Sequence, residues 1–193
     1  MKKSNFLSVA LVAVALFAGQ SAFAQEGKMM KEKTVMVGGA EMYPSKTIVE
    51  NAVNSKNHTT LVAAVKAADL VDVLSSKGPF TVFAPTNAAF EALPAGTVET
   101  LVKPENKEKL QGILTYHVIA GKFNAADVVA LIKKNNGKAA VKTVAGSELT
   151  LSLKGDKVVV TDANGGSATV TIADVAQSNG VIHVVDAVLL PKM

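Results

Sequence analysis

Three histidines are the side chains best suited to acid–base chemistry in this sequence: His58, His117 and His183. A hydrolase would need such a base beside a nucleophile and an oxyanion site. The chain contains no cysteine, and none of its serines stands in the G-x-S-x-G pattern of a nucleophile elbow. The stretch Gly165–Ser167 lacks the second glycine of that pattern and lies in a predicted hairpin turn. These residue types predict that the protein is not an enzyme.

Metal and cofactor sites also require particular spacings that the sequence lacks. No H-x-x-x-H or H-E-x-x-H pattern is present to place two histidines on one helix face. His183 and Asp186 stand three residues apart in a predicted strand, so their side chains point to opposite faces. Neither a P-loop nor a G-x-G-x-x-G motif is found. We therefore expect no metal and no cofactor.

The charge composition argues against nucleic-acid recognition. The 193 residues carry a formal net charge of +4, and all 20 basic residues are lysines. Arginine supplies the planar fork that binds guanine and phosphate through two hydrogen bonds. With 49% hydrophobic and only 19% charged residues, the composition is that of a folded domain. We expect a folded protein that does not bind nucleic acid.

The first 24 residues have the three-part plan of a secretory signal peptide. Lys2 and Lys3 precede an apolar stretch over 6–18, and Ala22–Ala24 fits the small-x-small cleavage pattern. A transmembrane anchor is the alternative, but that apolar stretch is shorter than the roughly 20 residues a bilayer requires. Cleavage after Ala24 predicts a periplasmic or secreted protein without a membrane span. Since the chain has no cysteine, its exported domain must fold without disulfides.

The mature chain divides into a leader and one domain. Residues 25–43 show no lasting helical or strand period and include the pair Gly38–Gly39, which indicates a flexible leader. From residue 44 to 193 the patterning is continuous, and this length suffices for a hydrophobic core. We therefore predict a single domain over 44–193.

Helices are predicted mainly in the first half of this domain. Thr47–Glu50 has the T-x-x-E form of a capping box. The apolar residues Leu61, Val65 and Ala68 recur at spacings of four and three, as on one helix face. Residues 105–114 show a similar pattern.

Strands are predicted mainly in the last third of the chain. Apolar and polar residues alternate over 149–154, and Gly155–Asp156 then has the form of a hairpin turn. Asn164–Gly166 and Asn179–Gly180 mark two further turns between strand-like segments. Because helices come first and strands last, the expected fold class is α+β.

Three ordered motifs carry a family resemblance. They are Gly78–Phe90, then Leu114–Val118 with a central Tyr-His pair, then Gly180–Asp186 followed by Val188–Pro191. In this order and spacing, the chain resembles a bacterial secreted protein with one fasciclin domain, from about Thr47 to Pro191. The resemblance implies a small β-sandwich or wedge with N-terminal helices packed on it. It also implies an association with cell adhesion and no general enzymatic activity.

The motif residues are expected to be mainly structural. The apolar groups of the first motif lie on both sides of a short strand, and Asn87 is suited to bonding nearby backbone. Tyr116 and His117 leave two alternatives open, a structural role and a partner-binding surface. The expected structural residues are Phe80, Thr81, Phe83, Pro85, Thr86, Asn87, Phe90, His183 and Asp186.

Two functions remain open at the level of sequence. The first is a monomeric, non-catalytic contact module that binds a cell-surface or matrix protein or glycan weakly, with multivalent display raising the affinity. The second is a soluble exported protein that captures a small ligand between its helices and its sheet. An enclosed apolar pocket would favour the second function, and a solid core with an exposed apolar patch would favour the first.

Overall fold

The computed structural model describes residues 33–192, and the predicted signal peptide lies outside them. Nine strands and seven α-helices are found in this range. The helices are α1 (Ile48–Ala52), α2 (Thr59–Ala67), α3 (Val71–Ser75), α4 (Asn87–Glu91), α5 (Thr97–Leu101), α6 (Lys107–Tyr116) and α7 (Ala125–Lys134). The strands are β1 (Val35–Val37), β2 (Ala40–Met42), β3 (Phe80–Pro85), β4 (Val118–Ala120), β5 (Lys138–Lys142), β6 (Glu148–Lys154), β7 (Lys157–Thr161), β8 (Ser167–Gln177) and β9 (Gly180–Val185).

The predicted flexible leader is wrong over its second half. The antiparallel hairpin β1–β2 occupies residues 35–42, and the side chains of Val37 and Met42 are each only 1% exposed. The turn at Gly38 lies against the next loop, where its carbonyl accepts a hydrogen bond from Lys56 N–H. The hairpin is therefore part of the folded domain, which begins before residue 44.

Local signals place the helix starts as predicted. Thr47 caps α1 in a full capping box with Glu50, and Thr86 Oγ1 accepts a hydrogen bond from Ala89 N–H to cap α4. Leu61 and Val65 of α2 are buried, as the spacing predicted. No helix among residues 33–192 is long and apolar enough to cross a bilayer.

Seven strands form one sheet in the order β4-β3-β9-β8-β7-β6-β5. The strands β5 to β9 follow one another through antiparallel pairings, and the hairpin turns lie where the sequence predicted them. At the other end, β3 runs parallel to β9, with Phe83 opposite His183. This pairing joins the first and last sequence motifs side by side in the sheet.

The helices and the curved sheet share two hydrophobic cores. Val82 and Ile182 face the first core, which contains apolar side chains of α1, α2, α3 and α6. Phe83 and Val185 face the second core together with β5, β6, β7 and α7. The strands β3 and β9 are thus covered on both faces, which explains why every residue of β9 is buried. The α+β class and the wedge-like arrangement agree with the predictions.

Candidate functional site

Tyr116 lies at the end of α6 and is buried in the second core. Its hydroxyl donates a hydrogen bond to the carbonyl of Glu148 at 2.9 Å and accepts one from Ala163 N–H at 3.1 Å. The side chain therefore connects α6 to β6 and to the loop after β7. Since the ring is buried, it offers no surface to a partner.

His117 is also buried, and both of its ring nitrogens are bonded to the backbone. Nε2 accepts from Leu189 N–H at 3.0 Å, so Nδ1 carries the proton that faces the carbonyl of Ile113 at 2.8 Å. Desolvation by burial lowers the pKa of His117 to about 4. The imidazole is neutral and holds the C-terminal segment against α6. The surface-contact alternative for Tyr116 and His117 is therefore wrong in this structure.

His183 has a similar arrangement in β9. Its Nδ1 accepts from Asp174 N–H at 3.3 Å, and its Nε2 donates to the carbonyl of Phe123 at 2.8 Å. Desolvation by burial lowers the pKa of His183. With both nitrogens bonded to the backbone, His183 has no free lone pair with which to act as a base. Three residues later, Asp186 accepts a hydrogen bond from Thr169 N–H through Oδ1 at 2.6 Å, which joins the end of β9 to β8.

Thr81 of β3 fixes the loop that follows β4. Its hydroxyl donates to the carbonyl of Gly121 at 2.7 Å and accepts from Phe123 N–H at 2.9 Å. Because His183 binds the carbonyl of Phe123, two motif side chains hold the loop 121–123 from two neighbouring strands.

The other residues of the first motif lie in or next to the cores. Asn87 accepts a hydrogen bond from Thr60 N–H and donates to the carbonyl of Lys56, so it holds the start of α2. Phe83 and Phe90 are buried in different cores, and Pro85 ends β3 opposite Val185. Phe80 is only half-buried, because it lies at the start of the strand.

Asn179 is a structural centre that the sequence predicted only as a turn residue. Its Oδ1 accepts from Ile48 N–H at 3.0 Å, and its Nδ2 donates to the carbonyls of Leu74 and Ser76 at 2.7 and 3.0 Å. One buried amide thus joins α1, the end of α3 and the β8–β9 turn. The signal available in the sequence was the Asn-Gly pair itself, which is typical of a turn whether or not the amide is buried.

The cavity inside the first core is too small for a metabolite. An apolar cavity of about 40 Å³ lies between the first three helices and the sheet, lined by side chains such as Leu61, Val82 and Ile182. Drug-sized ligands occupy sites of roughly 300–1,000 Å³. A small apolar cavity of this kind stays dry and adds nothing that would orient a ligand.

The surface contains an apolar hollow beside β4. We call it the Val73 surface and define it by Val73, Phe80 and Val144. Val73 and Val144 are 46% and 45% exposed, although they line the same hollow. Val144 N–H donates to the carbonyl of Val118 at 2.8 Å, which holds its loop against β4. Apolar groups gathered on a fixed surface mark an interaction site more strongly than scattered exposed residues do.

The histidines and carboxylates of residues 33–192 can be compared with what a metal or acid–base site requires. No three histidine or carboxylate side chains in this range are grouped to hold a metal ion. His117 and His183 use both ring nitrogens for backbone contacts, and His58 is buried with Nδ1 2.9 Å from the Ser55 hydroxyl. The hydrogen bonds of these histidines are internal to the fold and indicate a structural role.

The fold and the buried motif side chains define a cysteine-free α+β domain in which β3 and β9 are covered by helices on one face and by strands and helix α7 on the other. The family model of the fasciclin domain matches residues 56–191, so the chain belongs to the fasciclin domain family. This places the motifs described above within a known domain type and agrees with the resemblance seen in the sequence.

Relatives in other bacteria are similar over most of the chain. Protein sll1483 of Synechocystis sp. is 52% identical over 186 residues, which cover 96% of this chain and 96% of that protein. Immunogenic protein MPB70 of Mycobacterium bovis is 38% identical over 145 residues, or 72% of this chain and 66% of the relative.

A solved structure supports the fold. It is a FAS1 domain pair from the insect cell adhesion molecule fasciclin I, and it matches with a TM-score of 0.68 at 18% identity. The match covers 83% of this chain and 58% of that chain.

Proposed function

We propose that this protein is an exported, non-catalytic contact module that attaches the producing cell to a protein on a cell surface or in a matrix. Family membership supports this proposal, as does the fold shared with a cell adhesion molecule. The observation that carries it is the Val73 surface, together with a core whose cavity of about 40 Å³ is too small for a metabolite. The N-terminal signal pattern supports export.

The Val73 surface is suited to a protein partner. It presents valine and phenylalanine side chains, and apolar groups stabilise an interface when a partner removes them from water. Among the residues that line it, only the half-buried Phe80 is aromatic, so a sugar would find little aromatic surface to stack on. A surface of this small extent gives weak binding, which display of many copies on one cell raises through multivalency.

The small-ligand alternative has less support. It requires an enclosed pocket with a few convergent polar groups, whereas the cavity between helices and sheet measures about 40 Å³ and is apolar. A ligand of metabolite size would have to separate the helices from the sheet, at the cost of packed apolar contacts.

The experiment uses a deletion strain that lacks the protein. One version of the protein is returned to each culture of this strain, and attachment of the cells is compared. The double variant V73E/V144E places two charges on the Val73 surface, and V53E places one on Val53, which is 47% exposed and does not line that hollow. We expect attachment to fall to the level of the deletion strain with V73E/V144E and to be retained with V53E. All three proteins should fractionate outside the cytoplasm.

The purified variants should melt within a few degrees of the original protein, since all three side chains are nearly half exposed. Equal attachment with and without the protein would contradict the contact function. Equal loss from V53E would show that the Val73 surface is not the contact site.

A further inference from the structure

A second cleft opens where the first and last sequence motifs begin. It has a volume of about 380 Å³ and lies between the end of α3, the loop after β4 and the β8–β9 turn. This volume falls within the range of small-molecule sites. The residues that matter here are Ser75, Lys77, Pro79, Lys122 and Ser178.

The cleft has a one-sided charge. Lys77 and Lys122 line it, and no aspartate or glutamate does. Among residues 33–192, the ion pair that forms joins Lys107 and Asp69, so neither cleft lysine is neutralised by a carboxylate. Two unpaired ammonium groups at one cleft raise the local concentration of anions.

Backbone contacts hold the two lysine-bearing loops in place. Gly121 N–H donates to the carbonyl of Pro79 at 2.9 Å, which joins the loops directly. Thr81 and His183 fix the loop of Lys122, and Asn179 binds the carbonyl of Ser76 next to Lys77. The cleft walls are therefore formed before any ligand arrives, which reduces the entropy lost on binding.

The rest of the lining suits a hydroxylated ligand. Among residues 33–192, the hydroxyls of Ser75 and Ser178 have no protein hydrogen-bond partner, so each can donate and accept. Pro79 is exposed and presents an apolar ring in the same cleft. A simple inorganic anion would use the lysines but would leave most of the volume and the hydroxyls unused.

We propose that this cleft binds a carboxylated sugar unit of an acidic polysaccharide. The carboxylate interacts with Lys77 and Lys122, the sugar hydroxyls exchange hydrogen bonds with Ser75 and Ser178, and the apolar face of the sugar ring packs on Pro79. None of these five residues belongs to the Val73 surface, so the site is separate from the contact function proposed above.

Calorimetric titration of the purified protein with trigalacturonate at low salt tests this site. We expect saturable binding, and about a three- to tenfold weaker affinity for each of K77Q and K122Q because each removes one charge-assisted contact. The control K133Q removes an exposed lysine on α7, away from the cleft, and should bind as the original protein does. V73E/V144E should also bind normally.

Two further titrants identify what the cleft recognises. Maltotriose, which is neutral, should bind at least tenfold more weakly than trigalacturonate. Inorganic sulfate should also bind at least tenfold more weakly than trigalacturonate. Failure of trigalacturonate to bind, or an equal effect of K133Q and K77Q, would overturn the proposal. Sulfate binding as tight as trigalacturonate would overturn the sugar component. Because attachment is measured with other variants, either proposal can fail alone.

Discussion

At the scale of single residues, two glycines determine how closely the motifs approach each other. A Cβ added at Gly180 would lie 2.0 Å from the carbonyl oxygen of Phe80, and one added at Gly78 would lie 2.1 Å from that of Asn179. Real Cβ atoms do not approach backbone so closely. Neither glycine has a positive φ. Glycine is therefore required at these positions because there is no room for a side chain between β3 and the β8–β9 turn.

The substitution G180A should therefore destabilise the domain by about 1–3 kcal/mol, the usual cost of forcing extra volume into a packed site. The control is G112A in α6, where an added Cβ meets no atom within 4 Å. Replacing a helical glycine by alanine should stabilise the protein by about 0.5–1 kcal/mol. Urea unfolding of both variants measures these differences in the free energy of unfolding. An equal effect of the two substitutions would contradict the claim that Gly180 has no room for a side chain.

The site residues show what sequence patterns can and cannot reveal. Asn87 was predicted to bind nearby backbone because its short amide after a turn both donates and accepts, and it does. Tyr116 and His117 could not be assigned to core or surface, since their burial depends on β6, on the loop after β7 and on the C-terminal segment, all distant in sequence. The structural role of Asn179 was not predicted for the same reason, because its partners in α1 and at the end of α3 are distant in sequence.

At the scale of elements, the β1–β2 hairpin contributes to the first core. Its strands have only three residues each, too few for an alternating pattern to stand out from a linker. Asn51 holds it from α1, since Oδ1 accepts from Tyr43 N–H at 3.0 Å and Nδ2 donates to the Tyr43 carbonyl at 2.8 Å. The same Nδ2 binds Gln177 of β8. The hairpin is thereby joined to the sheet.

The variant M42A should lower the free energy of unfolding by about 2–5 kcal/mol, because it leaves a cavity at a buried position. The matched control is M36A in the same hairpin, where the side chain is 58% exposed. That change should stay within about 0.5 kcal/mol. Thermal and urea unfolding measure both changes. If M42A were as stable as the original protein, the hairpin would not contribute to the core.

Elements defined by local signals were predictable, whereas their distant pairings were not. The capping box of α1, the Thr86 cap of α4 and the turn glycines act within a few residues, so helix starts and hairpins could be identified from the chain alone. The parallel pairing of β3 with β9 joins segments about 100 residues apart, and no local pattern encodes it. The arrangement of helices and sheet was predicted from the resemblance of the motifs to the fasciclin domain and not from hydrophobic periodicity.

At the scale of the whole molecule, three histidines are buried, and two of them link separate parts of the fold. His117 joins α6 to the C-terminal segment, His183 joins β9 to the loop after β4, and His58 lies before α2. Desolvation by burial lowers the pKa of all three, while Asp162 and Asp174 only partly oppose this at His117 and His183. In the unfolded chain each histidine would titrate near 6.5. Acid therefore favours the unfolded chain, which binds more protons.

The free energy of unfolding should change little between about pH 7 and 8, where neither the histidines nor Tyr116 titrate, and should fall as the pH drops from 6.5 towards the folded pKa of His117, about 4. Each histidine contributes at most about 1.4 kcal/mol per pH unit. Urea unfolding between pH 7 and 5 separates this effect from most carboxylates, which titrate lower. The variant H117Q, whose amide can still donate and accept, should be less stable at pH 7 but should lose less stability across that interval. A flat profile for the original protein, or an equal slope for H117Q, would contradict the proton linkage.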